Sequence, residues 1–337
     1  MINANIGVNF QGFESSAYQN RITPEPPQDY IENSFHIFSK NNISMLRIPY
    51  SWESWEVNKS GFHEDLQKIS NVADAYDISC IYDNHQWECS SWLGWGIGMP
   101  NSLLSCHYGK NTGKSPSRVV LKDFWKRWWS RKITNKDNID GWEAQMTFVK
   151  EVIIWLKNKK STFGFEILNE PQVYNALDYN KVGSYHNYAI SNLRAISDKP
   201  LFFNAAISNT SIDNPIFQSH VSPNTGSNVI YDIHMYPPSY YNMQFFRFTS
   251  SIARKPQIYV GEFNSDYKYG ANLSKDQLIK YLNLFHRFKI FGCALWRWYY
   301  IRDLNVPAFN LTHVKNGRIN PNANFINLSD TLNEYNT

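Results

Sequence analysis

The stretch Phe163-Gly164-Phe165-Glu166-Ile167-Leu168-Asn169-Glu170-Pro171 decides how the rest of this chain is read. Its first part is a short, mostly apolar run with the length of one buried strand. It ends abruptly in Asn-Glu-Pro, where proline blocks any continuation. Glu170 is thereby expected at the C-terminal tip of a strand, the end at which a parallel α/β barrel carries its chemistry. A second run of the same design, Ile258-Tyr259-Val260-Gly261-Glu262-Phe263-Asn264, ends in another acid far along the chain. Two acids at strand tips can divide the work of proton donor and nucleophile.

Working outward, six more short apolar runs alternate with helical patterns. Upstream lie Ile6 to Phe10, Ser44 to Pro49 and Ser79 to His85; downstream lie Leu201 to Ala205, Val229 to His234 and Phe291 to Trp298. Apolar residues spaced three and four apart predict helices between them, near Asp29–Asn41, His63–Tyr76, Gly141–Lys157, Tyr179–Ile196, Tyr240–Ala253 and Lys275–Phe288. Eight βα units without a second compositional zone predict an α/β fold, a single (β/α)8 TIM barrel with residues 1–337 as one catalytic domain. After the third strand the barrel is interrupted by a long aromatic, basic insertion between Trp87 and Asp140.

Bulk composition excludes several classes. No run of eighteen apolar residues exists to span a bilayer, so no transmembrane segment is expected. The net charge of +4 on 337 residues calls for no polyanionic partner. It is unevenly placed, with nine Lys/Arg against three Asp/Glu between His107 and Asp140. A solvated helix face accounts for that excess, and no nucleic-acid partner is expected. Four cysteines make no disulfide framework: Cys80 and Cys293 fall in strand-like runs as buried thiols, whereas Cys89 and Cys106 share one connection and could pair in an oxidising compartment. Nothing resembles a metal site. Aromatics make up 16% of the residues, which suits either a bulky core or a surface that stacks on sugar rings.

The predicted strands finish in polar or aromatic residues: Asn9, Arg47, His85, Asn169 with Glu170, His234 with Tyr236, Glu262, and Trp296. Any one of these has a structural explanation, as a cap or a satisfied hydrogen-bonding group. Their shared register at one end of successive strands points to a common site. Asn169-Glu170-Pro171 behind its strand, Glu262 after Tyr259-Val260-Gly261, Arg47 in Leu46-Arg47-Ile48-Pro49, and the opening Gly7-Val8-Asn9-Phe10-Gln11-Gly12 together resemble glycoside hydrolase family 5. These are the cellulase-like, retaining β-glycanases of clan A, and the resemblance runs from the first strand to the last.

The resemblance implies roles. Glu170 would be the general acid/base and Glu262 the nucleophile, with Arg47 and Tyr236 favouring the ionised form of Glu262 and a partly desolvated seat keeping a proton on Glu170. Asn169 would bond the sugar 2-hydroxyl, His85 and His234 would line the subsite of the ring under attack, and Trp296 would be its stacking floor. No metal or organic cofactor is called for. The implied partner is a β-linked oligo- or polysaccharide, taken up by a monomer. Such a substrate favours a secreted protein, although Met1-Ile2-Asn3-Ala4-Asn5 carries no visible signal peptide.

Within the insertion, Trp125 and Trp129 stand four apart on one helix and are expected to be buried, while Trp87, Trp92 and Trp95 are candidates for distal sugar subsites. The leading expectation is an endo-β-1,4-glucanase. A β-mannanase, another β-glycosidase including one directed at glycolipids, and a catalytically silent sugar-binding barrel stay open beside it, as does endo against exo action.

Overall fold

The computed structural model describes residues 5–13, 29–94, 96–110, 118–204, 206–208, 220–221, 223, 228–236, 257–265, 273–298, 309–316 and 318–336. Eight parallel strands close into a barrel: β1 (Asn5–Asn9), β2 (Met45–Tyr50), β3 (Ser79–Asn84), β4 (Thr162–Glu166), β5 (Leu201–Asn204), β6 (Val229–Met235), β7 (Gln257–Phe263) and β8 (Gly292–Leu295). Each pairs with its sequence neighbours, and β1 closes the ring on β8 with Ile6 opposite Cys293. Helices between strands include α1 (Tyr30–Lys40), α2 (Trp52–Val57), α3 (Lys59–Tyr76), α4 (Asn101–Tyr108), α5 (Arg118–Trp129), α6 (Gly141–Leu156), α7 (Asp178–Arg194) and α8 (Lys275–Arg287). The expected helix at Tyr240–Ala253 lies outside the described residues.

Local sequence explains where the helices begin. The Asp140 side chain accepts from the backbone N–H groups of Trp142 and Glu143 at the start of α6, and Ser274 with Gln277 forms a capping box at the start of α8. In α5 the buried stripe Leu121, Phe124, Trp125, Trp128 and Trp129 turns inward, leaving Lys122 and Lys126 in solvent. The Trp129 indole N–H donates to the carbonyl of Gln172 over 2.7 Å, tying the insertion to the turn just past Glu170. Trp125 and Trp129 are thus core residues. Elements that the apolar spacing did not predict include α2, α4, a short parallel pair, Gln172–Val173 with Ile207–Ser208, an antiparallel pair, Thr312–Lys315 with Arg318–Pro321, and the helix α9 (Ala323–Asn336).

Inside the barrel, side chains stack in layers two residues apart, because alternate residues of a strand face the same side. Met45, Ile81, Phe202, Ile230, Tyr259 and Ala294 form an apolar plug. One step toward the C-terminal ends of the strands, the same interior face carries Arg47, Asp83, Asn204, Asp232 and Gly261, joined by Asn9 and Glu166. This polar layer is buried. No described helix is long and apolar enough to cross a membrane.

Candidate active site

Arg47 is the hub of the polar layer. Its side chain is fully buried, with Nε 2.8 Å from Glu166 Oε2, Nη1 donating to Asn9 Oδ1 (2.9 Å) and Glu262 Oε1 (3.0 Å), and Nη2 donating to Asn169 Oδ1 (2.7 Å). Nη2 also lies 3.0 Å from Asp83 Oδ2, and Nε 3.8 Å from Asp232 Oδ2. Four carboxyl groups around one guanidinium cannot all stay ionised out of water. Burial pushes Asp83 up to about 7 against the pull of Arg47, and burial together with Glu166 pushes Asp232 well above the usual carboxylate range. Glu166 goes the other way: burial opposes its charge, yet the Arg47 contact outweighs that and holds its pKa below the ordinary value.

Above this layer stand the two glutamates. Strand β4 ends at Glu166, so Glu170 lies on the turn beyond the strand rather than at its last residue. It adopts φ +44°, a left-handed conformation that costs a non-glycine residue about 1–2 kcal/mol and that the following Pro171 does nothing to favour. Glu262 reaches the interior by a different device. Period-two alternation puts Tyr259 and Gly261 inside the barrel, which would turn Glu262 outward. The register shift opposite Ile233 and His234 inserts an extra residue, and Glu262 comes level with His234. Gly261 is required here, since a Cβ would sit 2.2 Å from Asp232 Oδ2. Its N–H donates to Asp232 Oδ1 at 2.6 Å, and its carbonyl accepts from Asn9 Nδ2 at 2.9 Å.

The surroundings of the two acids differ. Glu262 accepts from Arg47 on Oε1 and from the Tyr236 hydroxyl on Oε2 at 2.9 Å. Among the described residues Glu170 has no Lys or Arg in contact; its Oε1 is 2.7 Å from His234 Nδ1, and burial pushes its pKa up to about 7. One oxygen of each carboxyl and a ring nitrogen of His234 all lie within 4.8 Å of one another. His234 is itself neutral, because burial lowers its pKa to about 4 despite the proximity of Glu262. Its tautomer follows from Asn204, whose Nδ2 donates to Glu166 Oε1 (3.0 Å) and faces His234 Nε2 at 3.2 Å. Nε2 therefore accepts, and Nδ1 carries the proton given to Glu170.

His85 is held by Asp83, Nδ1 to Oδ2 2.7 Å, and its ring stacks on Trp296 with centroids 5.7 Å apart. Burial works against a charged His85, but Asp83 overrides it and raises the pKa. Asn169 accepts from Arg47 and gives one N–H to the carbonyl of Gln86, leaving its second N–H for a ligand. The structure thus gathers Arg47, His85, Asn169, Glu170, His234, Tyr236, Glu262 and Trp296 at one mouth of the barrel. The candidate distal residues divide. Trp87 is 42% exposed, but Trp92 is only 8% exposed and spends its indole N–H on the Gly109 carbonyl, so its ring packs inside the loop; Trp95 lies outside the described residues. Cys89 is a buried thiol and Cys106 an exposed one, and no disulfide joins them.

Sequence reasoning passed over Asp83, Glu166, Asn204 and Asp232. The signal was present: Asp83 precedes His85 by two residues and Asp232 precedes His234 by two, so each pair shares an interior face. Among the described residues, two clusters have donor atoms close enough for a metal, Glu166/Asp232/His234 and Glu170/His234/Glu262, and Arg47 contacts an acid of each.

A closed parallel barrel with paired glutamates at its mouth defines a class of sugar-cleaving enzymes, and the sequence agrees: the family described as Cellulase (glycosyl hydrolase family 5) matches residues 2–300. The chain belongs to glycoside hydrolase family 5 and is a glycosidase of that family. Among solved structures it is similar to endo-glycoceramidase II from Rhodococcus sp. bound to a five-membered iminocyclitol (13% identity, 98% of this chain and 78% of that one, TM-score 0.71). It is also similar to an endogalactoceramidase (13%, 88% and 71%, TM-score 0.66) and to Pseudomonas stutzeri endoglucanase Cel5A with cellobiose (15%, 97% and 92%, TM-score 0.62). At these identities the likeness establishes the fold. No curated protein sequence matches the chain.

Proposed function

We propose that this protein is a retaining endo-β-glycosidase that cleaves β-1,4-linked glucan, with Glu170 as general acid/base and Glu262 as nucleophile. The observation that carries the reading is the approach of the two carboxyl groups to within 4.8 Å. Retaining glycosidases hold their carboxyls about 5 Å apart, whereas inverting ones leave about 6.5–9.5 Å for a water. In the first step Glu262 attacks the anomeric carbon while Glu170 passes its proton to the departing oxygen. The bond formed is an ester between the sugar and Glu262; the bond broken is the glycosidic C–O. Glu170, now anionic, then takes a proton from water, and the resulting attack at the anomeric carbon releases Glu262.

The differing environments support this division of roles. Glu262, receiving hydrogen bonds from Arg47 and Tyr236, is equipped to act as a carboxylate, and Glu170, with burial raising its pKa to about 7, is equipped to arrive protonated. His234 occupies Glu170 Oε1, so the proton to be transferred is carried on Oε2. The second N–H of Asn169 is available to the sugar 2-hydroxyl, a bond that strengthens as positive charge develops on the ring. The stacked rings of His85 and Trp296 offer an aromatic surface to that ring.

A second reading has its own support. Val119 (70% exposed), Leu177 (73%) and the half-exposed Trp87 are large apolar residues on connections after β3 and β4. They would suit an aglycone that is a lipid rather than a further sugar. The similarity to two ceramide-glycan hydrolases is compatible with it. Product profiles from cello-oligosaccharides, soluble β-mannan and a β-glycosyl lipid test both readings. Oligosaccharide cleavage of cello-oligosaccharides with retained β-configuration is expected; release of glycan from lipid alone would replace the glucanase reading, and an inverted product would end the mechanism.

A further inference from the structure

We propose that Gln86 is a positioning residue for Glu170, its side-chain amide gripping two successive backbone carbonyls and so fixing the direction from which the acid/base carboxyl enters the site. The inference rests on Glu170 having that role.

Gln86 follows His85 just past the end of β3 and is 1% exposed. Its Nε2 donates to the carbonyl of Asn169 at 2.8 Å and to that of Glu170 at 2.7 Å. Its Oε1 accepts from the Cys89 N–H at 3.0 Å, and its backbone carbonyl accepts from Asn169 Nδ2 at 2.9 Å. Carbonyls only accept and the Cys89 N–H only donates, so the amide has a single orientation that satisfies all three partners. Successive carbonyls of an extended strand point to opposite sides. Their convergence on one nitrogen is allowed by the left-handed turn at Glu170, with φ +44°. Pro171 cannot brace that turn from the other side, since it has no N–H.

The clamp is itself rigid. Trp87 and Ile97 exchange backbone hydrogen bonds of 3.0 and 2.9 Å, folding the loop back behind Gln86. Gly98, at φ +120°, packs so closely that a Cβ would meet the Gln86 Cβ at 2.3 Å. Glu88 and Cys89 are both left-handed, with φ +52° and +78°, which turns the Cys89 N–H onto Oε1. A loop built at this cost in backbone conformation delivers one neutral amide to the peptide that carries the acid. Proton transfer needs that carboxyl within hydrogen-bond reach of the leaving oxygen, and a small displacement lowers the rate steeply.

A residue that aims the proton donor leaves a signature that one serving only the fold does not: the dependence of kcat/KM on leaving-group acidity. Aryl β-glycosides of graded leaving-group pKa are compared for wild type, Gln86→Glu, which turns a donor into an acceptor at nearly constant shape, and Gln86→Met, which removes the amide without adding charge. The expected result is a loss at least about tenfold larger for poorly activated glycosides than for a 2,4-dinitrophenyl glycoside, in both variants. An equal loss for all leaving groups, or none, overturns the clamp. Glu170→Gln is the internal standard. If it steepens the dependence and the Gln86 variants do not, the clamp alone fails; if it does not steepen it, the assignment of Glu170 fails and the clamp with it. Should Gln86→Glu fold poorly by thermal melt, Gln86→Met decides.

Discussion

His234 Nδ1 lies 2.7 Å from Glu170 Oε1 and is kept protonated by the amide of Asn204 on the far side of the ring. The same nitrogen is 3.6 Å from Glu262 Oε2, so a neutral donor stands between two acids that the proposed mechanism needs in different charge states. It neither repels the proton of one nor neutralises the anion of the other. The surroundings of the acid pair are asymmetric because, of these two glutamates, Arg47 bonds Glu262.

The pH profile follows from that asymmetry. Glu170 must be protonated to act as the acid, and its pKa is pushed up to about 7, so kcat/KM on an unactivated glycoside should fall as pH rises through about 7. Glu170→Gln should abolish the alkaline limb on an activated aryl glycoside. A profile flat to pH 9 in wild type would contradict the assignment.

The same shift is a stability statement. The folded pKa of Glu170 exceeds the unfolded value of about 4.3, so the folded state binds the proton more tightly. The favourable contribution is complete below about pH 4 and is lost as pH rises through about 7. Glu170→Gln, neutral throughout, should therefore raise Tm relative to wild type at pH 8 and change it little at pH 4, with a ceiling of about 4 kcal/mol. Parallel thermal melts at the two pH values measure the difference.

Azide distinguishes the two glutamates. Glu262→Ala should lower turnover by roughly 10⁴-fold or more, and added azide should restore it by attacking from the vacated face, giving a glycosyl azide of inverted configuration. Glu170→Ala keeps the nucleophile, so azide should intercept the glycosyl-enzyme and yield the retained product. Proton NMR of the anomeric signal reads the outcome, and identical stereochemistry from both variants would undo the division of roles.

Arg47 should be intolerant even of lysine. It contacts Asn9, Asp83, Glu166, Asn169 and Glu262 through three nitrogens, and an ammonium group cannot reproduce that planar fork. Arg47→Met leaves buried carboxylates without a counter-charge and should cost about 3–5 kcal/mol by chemical denaturation. Losses under 1 kcal/mol would mean the surrounding acids are protonated without it.

Asp232 should be replaceable where Gly261 is not. Asp232→Asn can still accept from the Gly261 N–H and removes one buried acid, so stability should change by less than about 1 kcal/mol. Gly261→Ala drives a Cβ into the Asp232 carboxyl and should cost about 1–3 kcal/mol as well as displacing Glu262. Denaturation midpoints and kcat of the two variants supply the comparison.

The order of strands around the barrel, and the two glutamates proposed as the catalytic pair, could be read from the chain alone. Apolar runs of strand length, ended by polar or aromatic residues, report where a strand leaves the apolar core and meets the site, and that pattern is local. What the tertiary structure alone decided is how the two acids turn inward and what lies beneath them. Glu262 faces the interior because a bulge opposite Ile233 and His234 breaks the alternation that would have sent it outside, and Glu170 does so from a left-handed turn past the end of its strand. The carboxyl layer of Asp83, Glu166 and Asp232 shares one cation from a fourth strand, and the amide of Gln86 grips a turn reached only after the whole insertion. These relations join residues remote in sequence through ring closure, and a linear pattern of apolar and polar residues does not encode which strand's side chain ends up beside which.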